Sequence, residues 1–131
     1  MTKARRAVLE VLAAAESPLT AAEIFRRLPI SADQATVYRT LHYLEDNGTA
    51  DSFVLHCSSH GTERYYTAAV SSTGEPIAHR HWFHCEKCHR FTDLGDCRLA
   101  ELMQGYEKEY GISVFTHTLY LTGECAECKG K

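Results

Sequence analysis

The chain has 131 residues, enough for one ordinary domain or for two small ones that need reinforcement. Hydrophobic residues make up 44% and charged residues 24%, a balance that suits a folded globular protein and excludes a disordered one. The formal net charge of −3 excludes a bulk basic field, so any contact with nucleic acid has to come from a local arrangement of groups.

No apolar run approaches the roughly 20 residues that span a bilayer. The opening Met1-Thr2-Lys3-Ala4-Arg5-Arg6 leads into a helical pattern rather than a signal peptide, so a cytoplasmic protein is expected. Six cysteines and eight histidines stand out in so short a chain. In a reducing compartment, cysteines at paired spacing are more often metal ligands than disulfides.

The first helix is predicted over about 3–14, where Val8, Val11 and Leu12 recur at helical spacing beside Ala4 and Ala7. Ser17-Pro18-Leu19 breaks it. Thr20 and Glu23 form a capping-box pattern for a second helix with Ile24, Phe25 and Leu28 on its apolar face, and Pro29 stops it. Ser31 and Gln34 repeat the pattern at the head of a third helix running to Asn47, with Gly48 in the C′ place. Val37, Leu41 and Leu44 face its core side. Two capped helices across a turn of about three residues make a helix-turn-helix.

Ser52-Phe53-Val54-Leu55 and Arg64-Tyr65-Tyr66-Thr67 flank the turn-rich Ser58-Ser59-His60-Gly61, a β-hairpin that suits the wing of a winged helix. Ala68 to Pro76, containing Ser71-Ser72-Thr73-Gly74, reads as a linker. In the second lobe, Trp82-Phe83 and the stretch from Phe91 to Leu94 are predicted strands on either side of a Cys-x-x-Cys turn. Asp96 can cap a helix in which Leu99, Leu102, Met103, Tyr106 and Tyr110 form the buried face and Gly111 the end. The run from Ile112 to Leu121, with Val114, Phe115, Leu119 and Tyr120, has strand character. The fold class is α+β, helices and a wing followed by a small α/β lobe.

Cys85-Glu86-Lys87-Cys88 and Cys125-Ala126-Glu127-Cys128 are matched pairs. A two-residue gap lets both thiolates of a tight turn face one ion, and two such turns complete a tetrahedron, so a structural Zn²⁺ is expected on all four. A lobe of about 50 residues needs such a staple, or dimerisation, to be stable. Cys57 and Cys97 read as ordinary thiols in preference to sensors, and His56, Cys57 and His60 as a polar turn in preference to a metal site. No nucleophile-base constellation or phosphate loop is present, so an enzyme is not expected. The cysteines close their own site and no His-x-Glu pattern accompanies them, which argues against a zinc hydrolase or deaminase.

On the third helix, Tyr38, Arg39 and His42 lie off the core face. An aromatic ring can pack on a thymine methyl and Arg commonly reads guanine, although the same pair also fits a solvated surface.

Ala35-Thr36-Val37-Tyr38-Arg39-Thr40-Leu41 resembles the recognition-helix signature of the ferric uptake regulator family. Cys85-x-x-Cys88 and His117-x-Leu119-x-Leu121-x-Gly123-x-Cys125-x-x-Cys128 are similar to its second lobe, and Arg5-Arg6-Ala7-Val8-Leu9 to its first core helix. The resemblance covers nearly the whole chain in order. It implies a winged-helix DNA-binding domain over 1–68, a hinge over 69–78 and a dimerisation and metal-binding domain over 79–131. It also implies a homodimer on palindromic operator DNA that represses metal-uptake genes when a regulatory metal is bound. Tyr38 and Arg39 match the base-contacting positions, Thr36 shares their signature, and Arg5 and Lys3 fall near phosphates.

The regulatory site departs from that pattern. Iron- and peroxide-responsive members place a ligand His just before the second helix, where this chain has Pro18, and an acidic residue where it has Tyr66. Their hinge histidines fall at places held here by Arg80 and Trp82. His79 and His81 lie six and four residues before Cys85. Read without a gap, they belong to a second metal site of the C-terminal lobe with Glu124 and Glu101. A one-residue bulge returns them to the hinge beside Asp93. They also fit solvent-exposed strand residues, and His117 a structural imidazole. Asp51 matches a wing position that zinc-responsive members use. The regulatory set is therefore His79, His81, Asp93, Asp51 and Glu124, leaning to the zinc branch, with Zn²⁺ expected first and Fe²⁺ or Mn²⁺ as alternatives. The rival readings are an iron- or peroxide-responsive member and, from a different class, a zinc-ribbon interaction module without DNA binding.

Overall fold

Helix α1 (Lys3–Ala14) begins where the Thr2 hydroxyl accepts a bond from the Arg5 N–H, in a computed structural model that describes residues 1–130. Ala7, Val8 and Leu12 are its buried residues, the face anticipated from spacing. Strand β1 (Leu19–Thr20) leads into α2 (Ala21–Arg27), whose capping box is complete: Thr20 accepts from the Glu23 N–H and Glu23 accepts from the Thr20 N–H. Helix α3 (Gln34–Asp46) is capped by Asp33, which accepts from the Thr36 N–H at 2.8 Å, and not by Ser31. The connection between α2 and α3 thus runs over 28–33, longer than the short turn expected. At its far end Gly48 takes φ +74, the left-handed conformation that a glycine adopts without strain.

The hairpin is longer than its hydrophobic kernel suggests. Strand β2 (Ala50–Cys57) pairs antiparallel with β3 (Gly61–Ala68), and β1 adds to the other edge of β3, giving the order β1-β3-β2. Ile24, Leu41 and Leu44 are completely buried against Val8, Leu12, Val37 and Tyr66 in one core. Each such side chain contributes about 1.5–3 kcal/mol through burial. The stretch expected as a linker folds back on this unit: Ala69 N–H donates to Thr49, Val70 bridges to Pro76, and Ile77 N–H donates to Ala69. The first compact unit accordingly runs Met1–Ile77, and a second begins at Ala78.

In the second unit, β4 (Arg80–Cys85) is the central strand. It pairs antiparallel with β5 (Phe91–Asp96) and parallel with β6 (Tyr120–Gly123). Helix α4 (Ala100–Tyr110) ends at Gly111, φ +67, as expected. Three expectations fail. Asp96 closes β5 instead of capping α4, whose N-cap is Leu99 without a side-chain bond. No residue of α4 is buried, and Leu102, Tyr106 and Tyr110 are exposed together with Ile112 and Phe115. The strand expected over 112–121 is confined to β6. No helix of the described residues is long and apolar enough to cross a membrane.

Candidate metal centres and nucleic-acid interface

The turn after β4 carries Cys85 and Cys88, and the turn after β6 carries Cys125 and Cys128. Because β4 and β6 are parallel neighbours with Cys85 opposite Gly123, both turns leave the same end of the sheet. The four sulfurs all lie within 4.8 Å of one another, with Cys88 Sγ 3.7 Å from Cys125 Sγ. Sulfurs about 2.3 Å from a tetrahedral ion are separated by roughly 3.7–3.8 Å, so the cluster fits such an ion. The main-chain N–H groups of Cys88 and Cys125 each donate to Cys85 Sγ at 3.4 Å. These bonds, that from Cys88 foremost, hold the Cys85 thiol down at about 6. The Cys88 thiol is also lowered, chiefly by the Arg90 backbone, while the Cys125 thiol beside it pushes Cys128 up to about 12. The protons therefore leave the cluster unevenly, and a bound cation displaces the last of them.

A second cluster lies elsewhere in the same unit. His79 directly precedes β4, His81 lies within it, Cys97 follows β5, and His117 belongs to the irregular run before β6. The Nε2 atoms of His79, His81 and His117 are mutually 3.1 Å apart. Cys97 Sγ is 3.3 Å from His81 Nε2 and 3.4 Å from His117 Nε2. Nitrogens about 2.0 Å from a tetrahedral ion lie roughly 3.3 Å apart, so this set too has the dimensions of a metal cage. His81 is buried, and its Nδ1 donates to the Leu119 carbonyl at 2.9 Å, which leaves Nε2 as the lone-pair face turned to the cluster. The Cys97 N–H donates to the His79 carbonyl at 3.1 Å and ties the ends of β4 and β5 together. Each candidate centre brings together four donor atoms, the number a tetrahedral ion takes.

Of the five residues offered for the regulatory metal, His79 and His81 converge. Asp93 does not join them: it accepts from the Arg80 guanidinium at 2.8 Å and from the Gly95 N–H at 2.8 Å. The β4–β5 register shifts between Arg80 and Trp82, which pair with Asp96 and Asp93, so the extra residue lies on β5 and not on the strand of His81. Glu124 faces Lys87 Nζ at 3.4 Å instead. Asp51 lies exposed on β2 opposite Thr67, in the first unit, and Glu101 is exposed on α4. Cys97 and His117, expected to be an ordinary thiol and a structural imidazole, join His79 and His81 in this cluster. Their separations from His81 in sequence, 16 and 36 residues, follow no local metal-binding spacing.

On α3, Val37, Thr40, Leu41 and Leu44 are buried, which turns Tyr38 (58% exposed), Arg39 and His42 outward. Arg39 Nη2 donates to Thr36 Oγ1 at 3.2 Å, and the Thr36 N–H is held by Asp33. The first turn of the helix thus holds the guanidinium along its exposed face. Lys3 is exposed at the head of α1. Arg5 is engaged within the unit, its guanidinium carbon 3.4 Å from the centre of the Tyr43 ring.

The sequence model of the ferric uptake regulator family matches residues 1–122. The chain belongs to this family. Members are metal-dependent DNA-binding transcriptional regulators and not enzymes, and this Fur-family chain is one. Among curated relatives, the ferric uptake regulation protein of Vibrio anguillarum is 26% identical over 98% of this chain and 84% of its own. The solved ferric uptake regulator of Helicobacter pylori superposes with a TM-score of 0.72 at 24% identity, covering 100% of this chain and 83% of that one. A zinc uptake regulator solved with zinc and DNA superposes at 0.63 and 22% identity, covering 97% and 81%. The two structural likenesses carry the architecture, a winged helix followed by a β-rich lobe, which iron- and zinc-named relatives share.

Proposed function

We propose that this Fur-family regulator is a homodimeric repressor that reads palindromic operator DNA through Tyr38 and Arg39 and answers to a divalent ion at His79, His81, Cys97 and His117. Cys85, Cys88, Cys125 and Cys128 hold a structural zinc that stabilises the second unit. The single observation that carries the metal response is the cage itself, three imidazole nitrogens and one thiol at the spacing of tetrahedral ligands. The exposed Leu102, Tyr106, Tyr110, Ile112 and Phe115 support the dimer, since a second copy covers an apolar surface that one chain leaves to water. Metal binding then selects the arrangement in which two recognition helices match the half-sites of one operator.

Two observations speak to the effector. Kinship favours an iron response: the relatives matched across the chain are ferric uptake regulation proteins. The donor set favours zinc, because a thiolate among imidazoles suits a borderline-soft ion of tetrahedral habit better than Fe²⁺ or Mn²⁺. Fluorescence anisotropy separates them. The chain, stripped of loosely held ions, is titrated with each metal against DNA from its own promoter. Binding that rises with zinc alone supports the donor-set reading, and binding that rises with ferrous ion under anaerobic conditions supports kinship. Binding indifferent to every ion removes the metal response.

A further inference from the structure

We propose that Cys97 is an oxidative modification site whose reaction with a hydroperoxide releases the ion held by His79, His81 and His117. The inference rests on the reading of this cluster as a metal site and adds a second input to it. The two centres differ in how their charge is supplied. Four sulfurs surround the structural site, so oxidation of one leaves three anionic donors. In the histidine cage Cys97 is the sole thiol, and the other three donors are imidazoles. Loss of that one thiolate leaves a dication held by neutral groups alone.

The thiol is also placed to react. Cys97 is partly exposed, whereas Cys57 and Cys85 are buried. Its sulfur receives the Leu99 N–H at 3.4 Å and stands 3.3 and 3.4 Å from two imidazole nitrogens. With hydrogen peroxide as oxidant, Sγ attacks one oxygen: the S–O bond forms as the O–O bond breaks. The departing hydroxide takes up a proton and leaves as water. Sulfur gives up two electrons and peroxide accepts them, so Cys97 becomes a sulfenic acid, a poorer donor to zinc. A thiol reductant reverses the step by forming and then resolving a mixed disulfide.

The experiment uses the full chain loaded with zinc at about two ions per chain, one for each four-donor set. It is exposed to hydrogen peroxide beside a chromogenic zinc chelator. Sulfenic acid is trapped with dimedone and located by peptide mass spectrometry. The expected result is release of about one zinc per chain in step with tagging of Cys97, restored when untagged protein receives dithiothreitol and zinc. A Cys97→Asp variant, which keeps an anionic donor without an oxidisable sulfur, is expected to retain its zinc under the same dose. If that variant loads only one ion, the one-for-one relation between Cys97 tagging and release in the natural chain decides. Retention of zinc after Cys97 is tagged overturns the proposal. So does release that tracks tagging of the four paired cysteines or oxygen added to a histidine. Loading of only one zinc per chain before any peroxide is added instead overturns the site reading beneath it.

Discussion

His81 donates its Nδ1 proton to the Leu119 carbonyl 2.9 Å away, and this one bond decides which face of the imidazole is turned to Cys97 and His117. A carbonyl can only accept, so the proton is on Nδ1 and the Nε2 lone pair is directed at Cys97 and His117. Leu119 lies in the irregular run just before β6. The imidazole on the central strand is therefore oriented by the same segment that carries His117.

His81→Ala is expected to lower zinc stoichiometry from about two to about one per chain, leaving the four-cysteine centre filled. Elemental analysis of the purified variant checks this. Loss of both ions would show that the two centres are not separable.

Cys125→Ser is expected to act on the second unit alone. Structural zinc contributes on the order of 10 kcal/mol in small metal-dependent folds, far more than a unit of this size can lose. Hydrogen exchange should find β4, β5 and β6 unprotected while α1, α2 and α3 keep their protection, because the first unit has its own core.

Zinc affinity at the four-cysteine centre should rise with pH between 6 and 8. Cys85, held at about 6, is increasingly ionised over that range, but Cys128, at about 12, stays protonated and must give up its proton on binding. Each proton displaced makes apparent affinity about tenfold stronger per pH unit. Competition against a chelator of known proton affinity measures the slope, and a flat profile would contradict these thiol assignments.

Arg39→Ala and Tyr38→Ala should each weaken operator binding by about 1–3 kcal/mol, roughly 5- to 150-fold, and relax the preference for the contacted base pair. Arg39→Lys should not restore that preference, since an ammonium lacks the guanidinium fork. Equal losses on operator and random DNA would assign both side chains to the phosphate backbone instead.

Thr20→Ala should cost the first unit about 1 kcal/mol, and Thr20→Ser should recover most of it, because the capping hydroxyl is the group removed. Thermal unfolding followed by circular dichroism checks both variants.

The parts of the fold legible in the residues are those decided within a few positions. The span of α1, the box at Thr20 and Glu23, the stop at Gly111 and the buried face of α3 each follow from neighbours at helical spacing. The α3 cap is misplaced because Ser31 and Asp33 both qualify chemically, and only the path of the longer connection chooses Asp33. The apolar stripe on α4 is real, but a single chain offers nothing to bury it. The cage is half legible. His79 and His81 stand out through their two-residue spacing at the head of β4, whereas Cys97 and His117 reach them only through the fold of the second unit. Asp93 has ligand chemistry, but Arg80 and the bulge at Gly95 engage its oxygens.

The parallel pairing of β4 with β6 bears on how quickly the protein matures. Trp82 lies opposite Tyr120 and Cys85 opposite Gly123, so β6 cannot join β4 until a long intervening stretch has been drawn into a loop. Contacts so distant along the chain are slow to nucleate, because closure entropy is lost before any pairing repays it. An ion that captures Cys85 and Cys88 early and recruits Cys125 and Cys128 afterwards anchors that loop at its base. An ion bound there would therefore speed the joining of β6 to β4 as well as hold it.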